Sequence, residues 1–303
     1  MAYRFKPQKN VEQELRRITR QQLERASAEL TGHELDPPKA VHQARKRLKK
    51  LRSLLRLVRP DLDREVYKRW NRRFRDLGRS LAGARDADVL LQTLDELEET
   101  MRVNAAAPDL SVLRRELAAP SGQEAGNDSR DLRTRMGAVA EDLRAAREEI
   151  IHLSIDGKRF EETLGAGLQR THARGRKALR KTCESPTDAH FHEWRKRVKD
   201  HWYHSRLLMD VWPSLMKPYA KEMKRLSNLL GDDHDLAVFR ERLRELPEDT
   251  LPEPIAAALH RSIEHRHNML RSEAYRVGYR VYAEKSKRLR KRIESWWEIR
   301  HME

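Results

Sequence analysis

Apolar residues recur three and four positions apart along most of this chain, and the two-residue alternation of strands is scarce. Short breaks interrupt the pattern at "LDPPKA", "LVRPDLD", "CESPTD", "VWPSLMKP" and "LPEDTLPEP". Between them the spacing predicts helices over about residues 10–31, 38–59, 62–82 and 85–101, then 160–182, 187–209, 212–230 and 234–246, with less regular helices completing each half. The expected fold class is all-α. Ala119 to Asp131, "APSGQEAGNDSRD", has no periodicity and reads as a mobile loop.

The helical pattern repeats. "VHQARKRLKKLRSLLRL", starting at Val41, and "FHEWRKRVKDHWYHSRLL", starting at Phe191, are identical at five of the eight positions from His42 to Lys49: His42/His192, Arg45/Arg195, Lys46/Lys196, Arg47/Arg197 and Lys49/Lys199. At an offset of 149, Leu77/Leu226, Leu81/Leu230, Asp86/Asp235 and Val89/Val238 also match. A tandem duplication with a period near 150 follows, with residues 1–150 and 151–303 as two helical repeats. Such a period is far longer than that of a solenoid. Repeats packed about a pseudo-twofold axis would bring their equivalent faces to one shared groove or channel.

Turning 100° per residue, His42, Arg45, Lys46, Lys49, Arg52, Ser53 and Arg56 share one third of the first motif helix. Leu48, Leu51, Leu54, Leu55 and Val58 take the opposite side and are expected to face the core. In the second motif His192, Arg195, Lys196, Lys199, Tyr203 and Arg206 repeat the cationic face, against Trp194, Val198, His201 and Leu208. A solvated helix mixes acids with bases at i,i+4, yet Val41 to Arg59 holds eight basic residues and no acidic one. That repulsion, carried twice, suits a multivalent anion. Arg170, Arg174, Lys177 and Lys181 form a further stripe before the second motif; Arg16 and Arg20 begin its counterpart, which Glu24 interrupts.

Composition sharpens this picture. Of 303 residues, 64 are Lys or Arg and 48 Asp or Glu, a net charge of +16 that favours polyanions as partners. No export signal or membrane-spanning run is seen in the sequence, so a cytoplasmic location and no membrane partner are expected. Cys183 is the only cysteine, which excludes an internal disulfide, and it is expected to be a buried small thiol.

The duplicated unit, with an H-x-x-R-[KR]-x-x-K helix followed by "LAGARDADVL" in one half and "LLGDDHDLAVF" in the other, resembles the conserved histidine α-helical domain, or CHAD, family over nearly the whole chain. "GYRVYAEKSKRLRKRIESWW" near the C-terminus is similar too. The resemblance implies two antiparallel four-helix-type subdomains around a basic central groove that binds inorganic polyphosphate, and association with polyphosphate granules. His42, Arg45, Lys46, Lys49, His192, Arg195, Lys196 and Lys199 would line that groove. The E-x-E-x-K signature of a fused triphosphate tunnel domain is not present.

Polyphosphate also fits the residues directly, because a line of phosphate oxygens needs a row of Arg and Lys donors and little else. If the histidines contribute, affinity should rise as pH falls through about 6.5. Nucleic acid is the competing polyanion; Trp202 and Tyr203 border the second stripe and offer stacking faces. Metal-dependent polyphosphate hydrolysis is the other alternative, resting on "GDDHD", Gly231 to Asp235. The expectation there is a helix stop at Gly231 and aspartates capping the next helix, with Asp86 alike in the first half. His260, Glu264 and His267 share a helix side, and His201 with His204 could chelate, but neither set is joined by a further convincing ligand, so packed or solvated histidines are expected. No P-loop or dinucleotide loop is found. The expectation is a binding protein with no catalytic residue, no metal and no cofactor.

Overall fold

Asn10 starts the first helix by accepting the backbone N–H groups of Glu12 and Gln13 at 2.9 and 3.1 Å. Asp63 does the same for Glu65 and Val66, and Thr187 for His190, while Pro37 and Pro213 occupy first-turn positions where their missing N–H is harmless. The computed structural model describes residues 3–32, 34–81, 86–102, 109–118, 129–150, 153–155, 160–247 and 250–302. Among them every regular element is helical: α1 (Val11–Thr31), α2 (Pro37–Val58), α3 (Arg64–Ser80), α4 (Asp86–Arg102), α5 (Ser111–Ala118), α6 (Ser129–Glu149), α7 (Ala166–Glu184), α8 (Asp188–Leu207), α9 (Pro213–Arg244), α10 (Glu253–Val281) and α11 (Ser286–Met302).

Three expectations change. The two helices expected over residues 212–230 and 234–246 are one helix, α9, which runs through Gly231 without a stop. Ser129 to Asp131, assigned to the mobile loop, begin α6; the rest of that segment up to residue 128 lies outside the described residues, as does the side chain of Asp86. Cys183 is exposed, with Sγ 3.2 Å from the Tyr279 hydroxyl, because α7 turns that position away from its buried Leu179 and Thr182 face.

All five apolar residues assigned to the inner face of α2 are buried. They pack with Leu15, Ile18 and Leu23 of α1, Trp70 and Phe74 of α3 and Leu143 of α6, each a site where truncation to Ala costs about 2–5 kcal/mol. The same core takes in Leu207 of α8 and Ile293 and Trp297 of α11. A second core joins Leu94 and Leu97 of α4 to Phe239 of α9 and Ile263 of α10; a third joins Trp194 and Val198 of α8 to Leu226 and Leu230 of α9 and Val277 of α10.

The two motif helices, α2 and α8, meet directly. Arg56 binds the Asp200 carboxylate at 2.8 Å, and His204 donates from Nε2 to the Ser53 carbonyl at 2.9 Å. Gly167 of α7 lies so close to the end of α2 that an added Cβ would sit 1.7 Å from the Leu57 carbonyl oxygen. This close approach holds α7 against the end of α2.

Candidate functional site

Beside that crossing, α2, α8 and α9 enclose a cleft of ≈ 590 Å³. His42, Arg45, Lys46 and Lys49 line it from α2, and Arg195 and Lys199 from α8. Each sits there for one reason: the leucines of α2 and the Trp194/Val198 face of α8 are drawn into cores, which turns the opposite faces toward each other. α9 supplies the third wall with Lys224, Ser227, Asn228, Asp232, His234 and Asp235.

The uninterrupted course of α9 explains that wall. Gly231 is helical, and its missing side chain leaves room for Arg195, whose Nε would lie 3.9 Å from an added Cβ. With no helix start here, the aspartates are not caps. Asp233 points inward and is buried, accepting from Arg271 Nε at 2.6 Å and from His267 Nδ1 at 2.8 Å, while Arg271 also reaches Asp188 at the start of α8. This network fixes α8 and α10 on α9. Asp232 and Asp235 are left on the cleft side.

The site is electrostatically loaded. The Arg195 Nε is buried without a hydrogen-bond acceptor, an uncommon state for a guanidinium N–H. Lys199 has its amine pushed down to about 7, first by burial and then by Arg195, Lys49 and Lys224, with Asp235 the opposing acid. His192 and His234 stack with ring centroids 4.3 Å apart and Nδ1 atoms 3.1 Å apart, so a single Nδ1 proton serves both in the neutral pair. Burial and the surrounding cations lower both, His234 to about 4. This corrects the expected pH dependence: for these two imidazoles the charging step lies below 6.5, because cations already crowd them.

The remaining candidate residues lie elsewhere. Lys196, beside Glu193 at 3.8 Å, and His192, which reaches the site only through its contact with His234, are outside the cleft lining, and Arg52 donates to Asn71 at 3.2 Å. Arg56 is held by Asp200; Arg206 lies over the rings of Tyr3 and Trp202, 5.9 and 5.2 Å from their centroids. Arg16 pairs with Glu12, and Arg20 with Glu24 at 3.0 Å. Arg170, Arg174, Lys177 and Lys181 are exposed on α7, outside the cleft lining. Lys224 and His234 line the site but were missed by sequence reasoning. The signal for Lys224 was its match to the basic Arg75 at the 149-residue offset, legible only after the two segments are aligned.

The aromatic faces near the site are occupied. Lys224 Nζ lies 5.0 Å and the Arg206 guanidinium 5.2 Å from the Trp202 ring centroid, and Tyr203 is buried against Trp202 at 4.8 Å. His267 is committed to Asp233, His201 bonds the Tyr219 hydroxyl at 3.1 Å, and His204 bonds Ser53. His260 is exposed, and Glu264 pairs with Arg240 at 3.1 Å. Among the described residues no three or more His, Cys, Asp or Glu side chains are grouped to hold a metal ion. None of the described helices is long and apolar enough to cross a membrane.

In a comparison with known protein families the chain matches the family described as the CHAD domain, over residues 17–244. No curated protein matches the chain.

Proposed function

The chain belongs to the CHAD domain family, and from that premise we propose that it binds inorganic polyphosphate in the cleft between α2, α8 and α9, without catalysis. The observation that carries the reading is the convergence of Arg45 and Lys49 with their sequence counterparts Arg195 and Lys199 on one cavity. Among the described residues neither Arg195 nor Lys199 has an ion pair there, and a chain of phosphate oxygens would supply the acceptors. Asp232 and Asp235 offset part of the positive charge of the cleft, and six basic side chains, those of His42, Arg45, Lys46, Lys49, Arg195 and Lys199, stand against them. Association with polyphosphate granules is the matching cellular reading.

We further infer that the cleft lies at the junction of a duplicated unit. Contacts recur in matched pairs: Arg56 meets Asp200, and the counterparts Arg206 and Lys50 share one field beside Tyr3. Arg52 lies in the field of Arg75, and the counterparts Trp202 and Lys224 are in contact. Lys49 and Lys199 are themselves counterparts.

Nucleic acid is the second reading, since the same cations attract its phosphates. The cations against Trp202 and the burial of Tyr203 weigh against base stacking, so polyphosphate is preferred. The test is titration with defined-length polyphosphate and with single-stranded RNA at physiological salt. Arg45→Ala, Lys49→Ala, Arg195→Ala and Lys199→Ala should each weaken polyphosphate binding about tenfold, on the scale of one charge-assisted contact. Loss from only one half, or RNA displacing polyphosphate, would overturn the proposal. Phosphate release on adding a divalent metal would move the protein to the hydrolases.

A further inference from the structure

The four basic residues of α7 repay a separate look, because the cleft does not use them. Arg170, Arg174, Lys177 and Lys181 fall within about 60° of the helix circumference and span about 16 Å. All four are exposed. α7 packs on α8, and Arg174 lies in the fields of Arg197, Asp200, Glu193 and Arg170. On α8, Glu193 and Arg197 are about 120–160° around from Arg195 and Lys199, so this ridge is on another side of the molecule from the cleft.

The nearby acids are already engaged. Glu193 binds Arg197 at 2.7 Å and approaches Lys196 at 3.8 Å; Asp200 binds Arg56 at 2.8 Å and approaches Arg197 at 3.6 Å. On α7 itself the only acid is Glu184, which faces Arg180 at 3.6 Å. α1, the helix before the other motif, provides a control within the same chain. There Arg16 pairs with Glu12, Arg20 with Glu24, and Arg147 reaches Glu24 at 3.6 Å, the ordinary arrangement of a solvated face. Among the described residues α7 keeps Arg170 and Arg174 without such ion pairs and accepts like-charge spacing at i,i+4.

We propose that this ridge is a second polyphosphate-binding surface, separate from the cleft, so that one molecule holds two segments of phosphate chain and bridges them. The identity of the ligand rests on the reading of the cleft; the existence of a second polyanion surface does not. α7 carries no Phe, Tyr or Trp, so it offers phosphate oxygens a line of donors and offers bases nothing to stack on. Bridging follows from valency: two sites on one body join two chains, or two stretches of a long one.

The experiment counts chains by native mass spectrometry and calorimetry, using polyphosphate too short to reach both faces. Wild type should bind two. Arg170→Ala, Arg174→Ala, Lys177→Ala and Lys181→Ala combined should bind one, with the affinity of the remaining site unchanged. Lys49→Ala with Lys199→Ala should also leave one, and the ridge substitutions should then remove it. With long chains, wild type should scatter light as bridged assemblies and either variant should not. A Gln version of the ridge variant, checked by circular dichroism, separates charge from folding. One chain per wild-type molecule with an unchanged ridge variant would overturn the ridge alone. Binding that survives only at the ridge would overturn the cleft reading and keep the ridge. RNA displacing polyphosphate from the ridge at physiological salt would overturn its assignment to polyphosphate.

Discussion

Two cleft groups titrate near neutrality: Asp232, its carboxyl raised to about 6 by burial and the neighbouring Glu96 and Asp235, and Lys199, which governs the window above that. Its amine titrates at about 7 in the free cleft instead of near 10.5, because burial and three cations oppose its charge. A bound phosphate chain reverses that opposition. The sign follows: the cationic, anion-binding form prevails below about 7, so affinity should fall as pH rises from about 6 to about 8, approaching tenfold per unit at the upper end. Binding in that window should take up a proton, measurable by calorimetry in two buffers of different ionisation enthalpy. Lys199→Arg stays charged throughout and should flatten the profile. An unchanged slope in that variant would shift the titration to another group. Sequence showed that Lys199 is basic and repeated, but not that three further cations would surround it. His234 was read as part of a cap, and only the unbroken course of α9 places it on the cleft wall.

At the scale of the element, α9 shows where local signals mislead. Glycine followed by aspartates resembles a helix stop and a new start, and the glycine costs about 1 kcal/mol in mid-helix. Yet Leu226 and Leu230 are buried in one core and Leu236 and Phe239 in another, and this burial along both sides of Gly231 outweighs the local preference. Gly231→Ala should therefore raise stability by about 0.5–1 kcal/mol in urea unfolding, since its Cβ makes only ordinary contact with Arg195. A glycine stop with positive φ would give the opposite result. Gly167→Ala should lower stability by about 3 kcal/mol or more, because the Leu57 carbonyl lies 1.7 Å from the added carbon. The helices of the first half, by contrast, were legible to within a few residues, since their caps and prolines agree with their burial pattern.

Across the whole molecule, three histidines, His172, His201 and His204, are fully buried where the second half meets α2 and α11. Burial holds His172 and His204 down to about 4 and His201 well below its usual value. In the unfolded chain each takes a proton near 6.5, so folding stability is complete above that pH and drains as pH falls toward about 4, by up to about 1.4 kcal/mol per unit per histidine. Urea midpoints should accordingly drop between about pH 7 and about pH 5 without a change in slope. A midpoint constant over that range would mean the cluster is charged or hydrated in the fold. The all-α class, the two cationic stripes and their leucine backing were all determined by the sequence, because helical periodicity and charge are local and additive along a chain. Which stripes meet was decided by tertiary packing alone. Arg195 and Lys199 face Arg45 and Lys49 across a cleft, Arg56 is tied to Asp200, and the α7 ridge stands apart, because each depends on how helices distant in sequence dock and on which acids that docking brings within reach.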